Sequence, residues 1–311
     1  MSWVFLLPDE VYKLKKPVRF DYLDYSTLDR RLAACRAELD LNRRLAPDVY
    51  KTLKPLTLHE SSLSIDGPGR IVDWLVVMRR LDERHNLESL LANHRLAPAH
   101  LDSLANTLLR FYRSARQART TPTIHIDRWR RNLAENRRTL LDRRLGLSEA
   151  SVRSVDRRLS GFLTARSHLV AERVRRRVIV DGHGDLRPEH IWPEPPVRII
   201  DCLEFSAELR MVDPLDELAF LYVECCRLGA APHGAYVVRR IARALPGGFS
   251  PELFTFYASY RAMLRARLAI AHLLEPRPRL PEKWLPLASA YLRIAEQAWR
   301  RLAATEGHVD D

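Results

Sequence analysis

The sequence predicts a two-lobed α+β fold, with a small antiparallel sheet near the N-terminus and a large helical lobe after it. Short apolar, β-branched runs lie before residue 80, and apolar residues spaced three and four apart dominate from about residue 87. Two further short strands, near residues 180 and 200, interrupt the helical part. A chain of 311 residues is long enough for an N-terminal lobe over 1–80, a hinge over 81–86 and a C-terminal lobe over 87–311.

The elements of the N-terminal lobe follow from turn residues between apolar runs. Ser26 and Thr27 offer N-cap hydroxyls for a helix that continues to about Leu45. Four runs before and after this helix have the composition of strands, and each pair of runs is separated by a turn that contains proline or glycine. These runs cover residues 3–7, 11–15, 63–65 and 71–79.

The composition restricts the class of protein. The net charge is +12, but only six of the 51 basic residues are lysine, and the arginines are spread over nearly every predicted helix. We therefore do not expect a dedicated nucleic-acid surface, although a basic nucleic-acid-binding protein stays an alternative. The four cysteines show no metal-binding spacing, and no apolar run approaches the roughly 20 residues that span a bilayer. These features favour a cytoplasmic protein that does not contact membranes.

The most informative motifs lie at the two strands that interrupt the helices. The first strand leads into His-Gly-Asp-Leu-Arg-Pro-Glu-His over 183–190, which contains Asp185. The second covers part of 197–205, Val-Arg-Ile-Ile-Asp-Cys-Leu-Glu-Phe, and delivers Asp201. Phosphoryl transfer needs one carboxylate to orient the attacking hydroxyl and another to hold a metal ion, so two acids at strand ends favour this chemistry.

These motifs resemble the catalytic core of the aminoglycoside phosphotransferase family, the small-molecule branch of the protein-kinase-like fold. The form of the first motif matches a subgroup whose substrate is unassigned. The resemblance implies a phosphotransferase that uses ATP or GTP with Mg²⁺ to phosphorylate a hydroxyl group. It places Asp185 at the catalytic carboxylate and Asp201 at the Mg²⁺ ligand, and it makes 183–190 the catalytic loop.

Two residues of the catalytic loop have further implied roles. Arg187 lies where protein kinases place a lysine that contacts phosphate, and a guanidinium could hold the transferring group. His190 lies where the family usually has asparagine, a metal ligand. Because Mg²⁺ disfavours nitrogen ligands, His190 could instead act on the metal through water, bond a phosphate or stabilise the loop. Direct binding of the metal by His190 also stays open.

The nucleotide site is expected in the N-terminal lobe. Val-Tyr-Lys-Leu-Lys-Lys over 11–16 resembles the kinase strand whose lysine binds the α and β phosphates. Lys13 is the preferred candidate, but Lys15 lies on the same face of the strand. The expected ion-pair partner is Glu38 on the following helix. The backbone at Met78, Arg79 and Arg80 would bind adenine.

The remaining site residues follow from the same resemblance. His183 is expected to support the loop, and Asp-Pro-Leu-Asp-Glu-Leu-Ala over 213–219 gives Asp213 as a helix cap and Asp216 as a buried partner of the loop. Glu204 is a candidate for the substrate or the metal network. Arg261 and Arg265, one helical turn apart, are weaker substrate candidates and would favour an anionic acceptor.

The sequence also departs from the family pattern. No glycine occurs before Gly67, so the chain has no glycine-rich loop to cover phosphates, and the first strand of the N-terminal lobe is expected to be missing. Either the chain start has been lost, or phosphates are covered in another way, or phosphate is no longer transferred. A catalytically impaired protein that binds a nucleotide or a partner therefore stays an alternative.

Overall fold

The computed structural model describes residues 1–20 and 23–306. Its strands, β1 to β11, are Ser2–Leu6, Glu10–Lys15, Arg19–Phe20, Leu23–Asp24, Tyr50–His59, Ser62–Ile65, Arg70–Arg79, Val180–Asp181, Ile191–Trp192, Arg198–Ile199 and Met211–Val212. Its α-helices, α1 to α11, are Leu28–Arg43, Leu87–Ala92, Pro98–Ser114, Pro122–Leu140, Glu149–Ala165, Ser167–Arg175, Ala207–Arg210, Pro214–Arg227, Ala231–Ala242, Pro251–Ala271 and Pro281–Glu306. The mixed α+β composition, with one five-stranded antiparallel sheet, three two-stranded sheets and many helices among the described residues, confirms the predicted fold class.

The chain forms two compact units that are discontinuous in sequence. Over the described residues, the first unit combines 1–107 with 183–211, and the second combines 108–182 with 212–306. This division differs from the lobes expected at 1–80 and 87–311, because residues 183–190, the predicted catalytic loop, and the strand before Asp201 fold with the N-terminal residues. The hinge over 81–86 stays a prediction.

The first unit contains an antiparallel sheet of five strands in the order β1-β2-β7-β5-β6. Strand β2 lies between β1 and β7, and Lys13 faces Val4 on one side and Val76 on the other. All four strands predicted in the N-terminal lobe are present. The fifth, β5, was not predicted, because Lys51, Lys54 and Pro55 interrupt its apolar pattern and its stability comes from pairing with β7.

Helix α1 covers one face of this sheet. The Thr27 side chain accepts a hydrogen bond from the Arg30 N–H and caps the helix at the predicted position. The core of the sheet consists of buried apolar residues from α1, the following turn, β5 and β7, namely Cys35, Ala46, Val49, Tyr50, Val76 and Met78. Two polar residues on the buried face of α1, Glu38 and Asn42, are one turn apart and fully enclosed. Buried polar groups in such a position need specific partners.

Strand β1 is an edge of the sheet, and its apolar side chains remain about half exposed. Trp3, Val4, Phe5 and Leu6 all belong to this group. Among the described strands, β1 pairs only with β2. An exposed apolar edge is a surface that other strands can pair with.

The second unit is organised by buried ion pairs between helices. Arg173 of α6 donates to both oxygens of Asp213, at 2.5 and 2.7 Å, and to the carbonyl of Gly247 at 2.7 Å. The Asp213 side chain also accepts from the Leu215 N–H and caps α8. Arg173 therefore connects α6, the start of α8 and the turn before α10. Over the part of the chain that the structure describes, no helix is long and apolar enough to cross a membrane.

We expect Arg173→Ala to lower the free energy of unfolding by about 3–5 kcal/mol, because the buried Asp213 carboxylate would lose its counterion. Urea denaturation followed by circular dichroism measures this change. Arg153→Ala is the matched control, since Arg153 forms an exposed pair with Glu149 on α5 and should change the stability little. Equal effects of the two substitutions would contradict this account of the second unit.

Candidate active site

The centre of the candidate site is an ion-pair network between β2 and α1. Lys13 and Lys15 are two residues apart on β2, so their side chains lie on the same face of the sheet. The Lys13 Nζ lies 2.8 Å from Glu38 Oε1, and the Lys15 Nζ lies 2.5 Å from Glu38 Oε2. Burial raises the pKa of the Glu38 carboxyl, but the two ammonium groups outweigh it and hold that pKa below its ordinary value. Glu38 is thus a buried carboxylate shared by two lysines.

Two acids after β10 complete the network. Asp201 Oδ1 lies 2.8 Å from the Lys13 Nζ. Glu204 is an ion-pair partner of Lys15 and accepts a hydrogen bond from the Tyr25 hydroxyl at 2.7 Å. The structure therefore brings together three of the predicted site residues, Lys13, Glu38 and Asp201, and it places Glu204 against Lys15.

The environments of the two lysines differ. The Lys15 side chain is 1% exposed and is enclosed by Glu38, Glu204 and Tyr25. The Lys13 side chain is 16% exposed and adjoins Asp201, whose side chain is 45% exposed. Burial lowers the pKa of the Lys13 ammonium, but Glu38 and Asp201 outweigh it and raise that pKa well above its ordinary value. Lys13 is thus the lysine that a bound ligand could reach.

The backbone around Asp201 is held in an unusual conformation. Asp201 has φ of 63°, the left-handed region that residues other than glycine rarely adopt. Its N–H donates to the Tyr50 hydroxyl at 3.2 Å, and the next N–H, of Cys202, donates to Asn42 Oδ1 at 2.9 Å. These bonds offset a local strain of order 1–3 kcal/mol and turn the carboxylate towards Lys13. Partial loss of solvation raises the pKa of the Asp201 carboxyl, but its neighbours, chiefly the Lys13 ammonium group, together have the larger effect. The pKa of Asp201 therefore lies below its ordinary value.

The predicted catalytic loop, residues 183–190, begins with a turn whose backbone conformation strongly favours glycine. Gly184 has φ of 86°, and a Cβ there would lie 2.9 Å from the Leu203 side chain. The buried His183 ring bonds the carbonyl oxygen of Ile200 through Nε2 at 2.9 Å and accepts the Asp185 N–H at Nδ1. His183 thus connects the loop to the residue before Asp201. Burial lowers the pKa of His183 to about 4.

Asp185, Arg187 and His190 form one cluster within the loop. The Arg187 guanidinium donates to Asp185 Oδ2 at 3.0 Å through Nε and to Glu189 Oε1 at 2.5 Å. The His190 ring is 3.1 Å from the Arg187 guanidinium through Nε2 and 3.0 Å from the Asp185 carbonyl oxygen through Nδ1. Among the described residues, the polar contacts of the Asp185 carboxylate fall on Oδ2 rather than on Oδ1.

The backbone expected to bind adenine is engaged in the sheet. The Arg79 N–H donates to the Val49 carbonyl at 2.8 Å, and the Arg80 N–H donates to the Asp9 carbonyl at 2.9 Å. Met78 is paired with Val11 in β2 and with Tyr50 in β5. The adenine role of these three residues stays a prediction.

Four other predicted residues lie in the second unit. Arg261 is buried and bonds Asp216 through two nitrogens at 2.7 and 2.6 Å. Arg265 lies 2.8 Å from Glu224 and bonds it through Nε. Asp213 caps α8, as expected, and accepts from Arg173. Because carboxylates already neutralise both arginines, these contacts give no support to the substrate role that we expected of them, or to an anionic acceptor.

Sequence reasoning missed the residues that hold the site together. Tyr25, Asn42 and Tyr50 bond Glu204, the Cys202 N–H and the Asp201 N–H respectively. The sequence spacing could have indicated Asn42, since this residue follows Glu38 by one helical turn on the same face of α1. The two tyrosines had none, because tyrosine is equally suited to an apolar core.

The residues present fit a divalent metal ion in part. Asp201 offers a hard carboxylate oxygen, Oδ2, 3.7 Å from His190 Nε2 and on the side away from Lys13. Among the described residues no group of three histidine, cysteine, aspartate or glutamate side chains is arranged to hold a metal ion. Asp201 could therefore hold Mg²⁺ together with phosphate oxygens and water, which is how this ion is usually bound beside nucleotides.

Solved structures of small-molecule kinases resemble this chain. Choline kinase from Cryptosporidium parvum aligns with a TM-score of 0.52 and 10% identity, over 98% of this chain and 90% of that one. Ethanolamine kinase from Plasmodium vivax aligns with a TM-score of 0.50 and 10% identity, over 92% and 75%. The GDP complex of wild-type aminoglycoside 2'-phosphotransferase-IIIa aligns with a TM-score of 0.50 and 15% identity, over 96% and 88%. The chain therefore has the two-lobed protein-kinase-like fold that these enzymes share.

Sequence relatives add no established activity. Uncharacterized proteins of Mycobacterium tuberculosis and Mycobacterium bovis are 32% identical over 283 residues, which is 88% of this chain and 54% of each relative. The chain thus spans about half the length of the curated relatives it matches. No protein-family model matches the chain.

We expect the stability of the protein to fall as the pH is lowered from about 6.5 to 4, in part because of His183. The unfolded chain binds a proton at this histidine near its ordinary pKa, whereas the folded protein does so only near pH 4. Its contribution is therefore complete above pH 6.5 and is lost through this window, by up to about 3 kcal/mol. Urea denaturation at several pH values should show a shallower dependence for His183→Gln than for the exposed control His94→Gln. Parallel curves would contradict the burial of a neutral His183.

Proposed function

We propose that this chain is a phosphotransferase that moves the γ-phosphoryl group of ATP or GTP to a hydroxyl group of a small molecule. The observation that carries the proposal is the joint position of Lys13, Glu38 and Asp201, with a lysine held between a buried helix carboxylate and an acid near the catalytic loop. Two carboxylates and one accessible ammonium group are what phosphoryl transfer requires of a protein. The kinase-like fold supports the same reaction class.

Each residue has a defined part in this proposal. Lys13 would bind the α and β phosphates, and Glu38 would keep its ammonium group in place. Asp201 would hold Mg²⁺, which neutralises charge on the β and γ phosphates when it is bound. Lys15 would have a structural role and would not contact the nucleotide, because its ammonium group is enclosed by Glu38 and Glu204.

Asp185 would orient the acceptor. Its Oδ1 would accept a hydrogen bond from the hydroxyl, whose oxygen attacks the γ-phosphorus while the bond to the β-phosphate oxygen breaks. The hydroxyl proton passes to Asp185 or to solvent, and the nucleoside diphosphate leaves. Arg187 would keep the Asp185 carboxylate oriented through Oδ2. A cytoplasmic location, where nucleotides and Mg²⁺ are supplied and thiols stay reduced, is part of this proposal.

We expect Asp185→Asn and Asp201→Ala each to lower kcat at least about a hundredfold, since each removes a group that acts in the transition state. Transfer of labelled γ-phosphate from ATP to a pool of hydroxylated metabolites gives the rate. Asp40→Asn, an exposed acid on α1, is the control and should keep the rate of the unmodified protein. Unchanged turnover in either active-site variant would refute its assignment.

We expect Lys13→Met to weaken nucleotide binding at least about tenfold, because an ammonium group that contacts phosphate would be lost. Lys15→Met should instead lower the melting temperature more than it lowers the affinity, since Glu38 and Glu204 would be left buried beside one another. Calorimetric titration with Mg·ATP and thermal denaturation of both variants separate the two effects. The reverse pattern would assign the phosphate contact to Lys15.

A further inference from the structure

The catalytic loop contains a closed ring of hydrogen bonds that starts and ends at Asp185. The Asp185 carbonyl oxygen lies 3.0 Å from His190 Nδ1. His190 Nε2 lies 3.1 Å from an Arg187 terminal nitrogen, and Arg187 donates to Asp185 Oδ2 through Nε at 3.0 Å. The ring thus joins the backbone of Asp185 to its own carboxylate through two other side chains.

The partners determine the protonation of His190. A carbonyl oxygen only accepts hydrogen bonds, so Nδ1 carries the proton. A guanidinium only donates, so Nε2 is the unprotonated nitrogen that accepts. We therefore assign the neutral Nδ1–H tautomer from the two contacts. The lone pair of Nε2 is used by Arg187.

This arrangement conflicts with metal binding by His190. A guanidinium and a divalent cation repel one another and cannot share the Nε2 lone pair. Nitrogen is also a poor ligand for Mg²⁺ compared with the carboxylate of Asp201. The observed contact to Arg187 is shorter than the 3.7 Å separation between His190 Nε2 and Asp201 Oδ2. Of the roles left open by the sequence, the structure favours stabilisation within the loop.

We infer that His190 is a positioning residue that fixes Arg187, and through it the Asp185 carboxylate, and that His190 is not a metal ligand. This inference rests on the proposed phosphotransfer function and adds to it the means by which Asp185 is oriented. The ring restricts rotation of the Asp185 side chain, so that Oδ2 stays with Arg187 and Oδ1 faces the acceptor. Glu189 supports the ring from the other side of Arg187 at 2.5 Å.

The first test is a comparison of metal binding that needs no turnover. Mn²⁺ with a nonhydrolysable ATP analogue is added to the unmodified protein and to His190→Leu, and pulsed electron paramagnetic resonance detects nitrogen bound to Mn²⁺. We expect identical spectra and Mn²⁺ affinities within about threefold, since His190 does not touch the ion. A nitrogen coupling that disappears in His190→Leu would overturn the inference.

The second test is a double-mutant cycle in γ-phosphate turnover. We expect His190→Leu and Arg187→Ala each to lower kcat at least about tenfold through misplacement of Asp185, and the double variant to be no slower than the slower single variant. Independent effects that multiply would overturn the inference. His190→Gln is the second variant, since its longer side chain can accept from Arg187 through Oε1, whereas an asparagine at this position could itself bind the metal ion. It should recover most of the rate and leave the Mn²⁺ spectra unchanged. A rate for His190→Gln as low as that of His190→Leu, with the fold intact by circular dichroism, would also overturn the inference.

Failure of the proposed phosphotransfer function and failure of the positioning role of His190 give different results. If the unmodified protein neither binds nor turns over the nucleotide, the proposed function is wrong and the ring has no catalytic role. If it turns over the nucleotide and the two substitutions multiply, only the positioning role is wrong.

Discussion

The buried carboxylate of Glu38 is the group on which the candidate site depends. A carboxylate fully removed from water costs several kcal/mol unless it is paired, and Glu38 has two lysines as partners. Because these lysines lie two residues apart on β2, the pairing fixes the face of the strand and the rotation of α1 together. Lys13 then reaches Asp201 and Lys15 reaches Glu204, so one buried charge positions both acids that follow β10.

The balance of charge explains why the two lysines have different parts. Glu38, Asp201 and Glu204 carry three negative charges against the two ammonium groups, and the exposed side of the network is formed by Lys13 and Asp201. An ammonium group beside an accessible carboxylate suits a ligand that has both phosphates and a bound divalent cation. The enclosed side of the network, with Lys15, Glu204 and Tyr25, can support the structure of the site because its charges are already paired.

The sequence predicted the local features of this site and missed the long-range ones. The order of charged motifs indicated Lys13, Glu38, Asp185 and Asp201, and period-two alternation placed both lysines on one face. It favoured Lys13 but left Lys15 as an alternative, because the exposure of each lysine depends on residues about 190 positions away. Strands β5 and β9 escaped prediction, since pairing with β7 and with the predicted β10 rather than their own apolar pattern stabilises them. The ring around Asp185 depends on side-chain directions that spacing alone does not give.

A crystal structure with Mg²⁺ and a nonhydrolysable ATP analogue would show whether the network around Glu38 forms a phosphate and metal site. We expect the Lys13 Nζ within about 3 Å of an α- or β-phosphate oxygen. We also expect an Asp201 oxygen at about 2.1 Å from Mg²⁺. An analogue bound away from β2, or Lys13 still paired only with Glu38 and Asp201 beside a bound analogue, would contradict this role of the network.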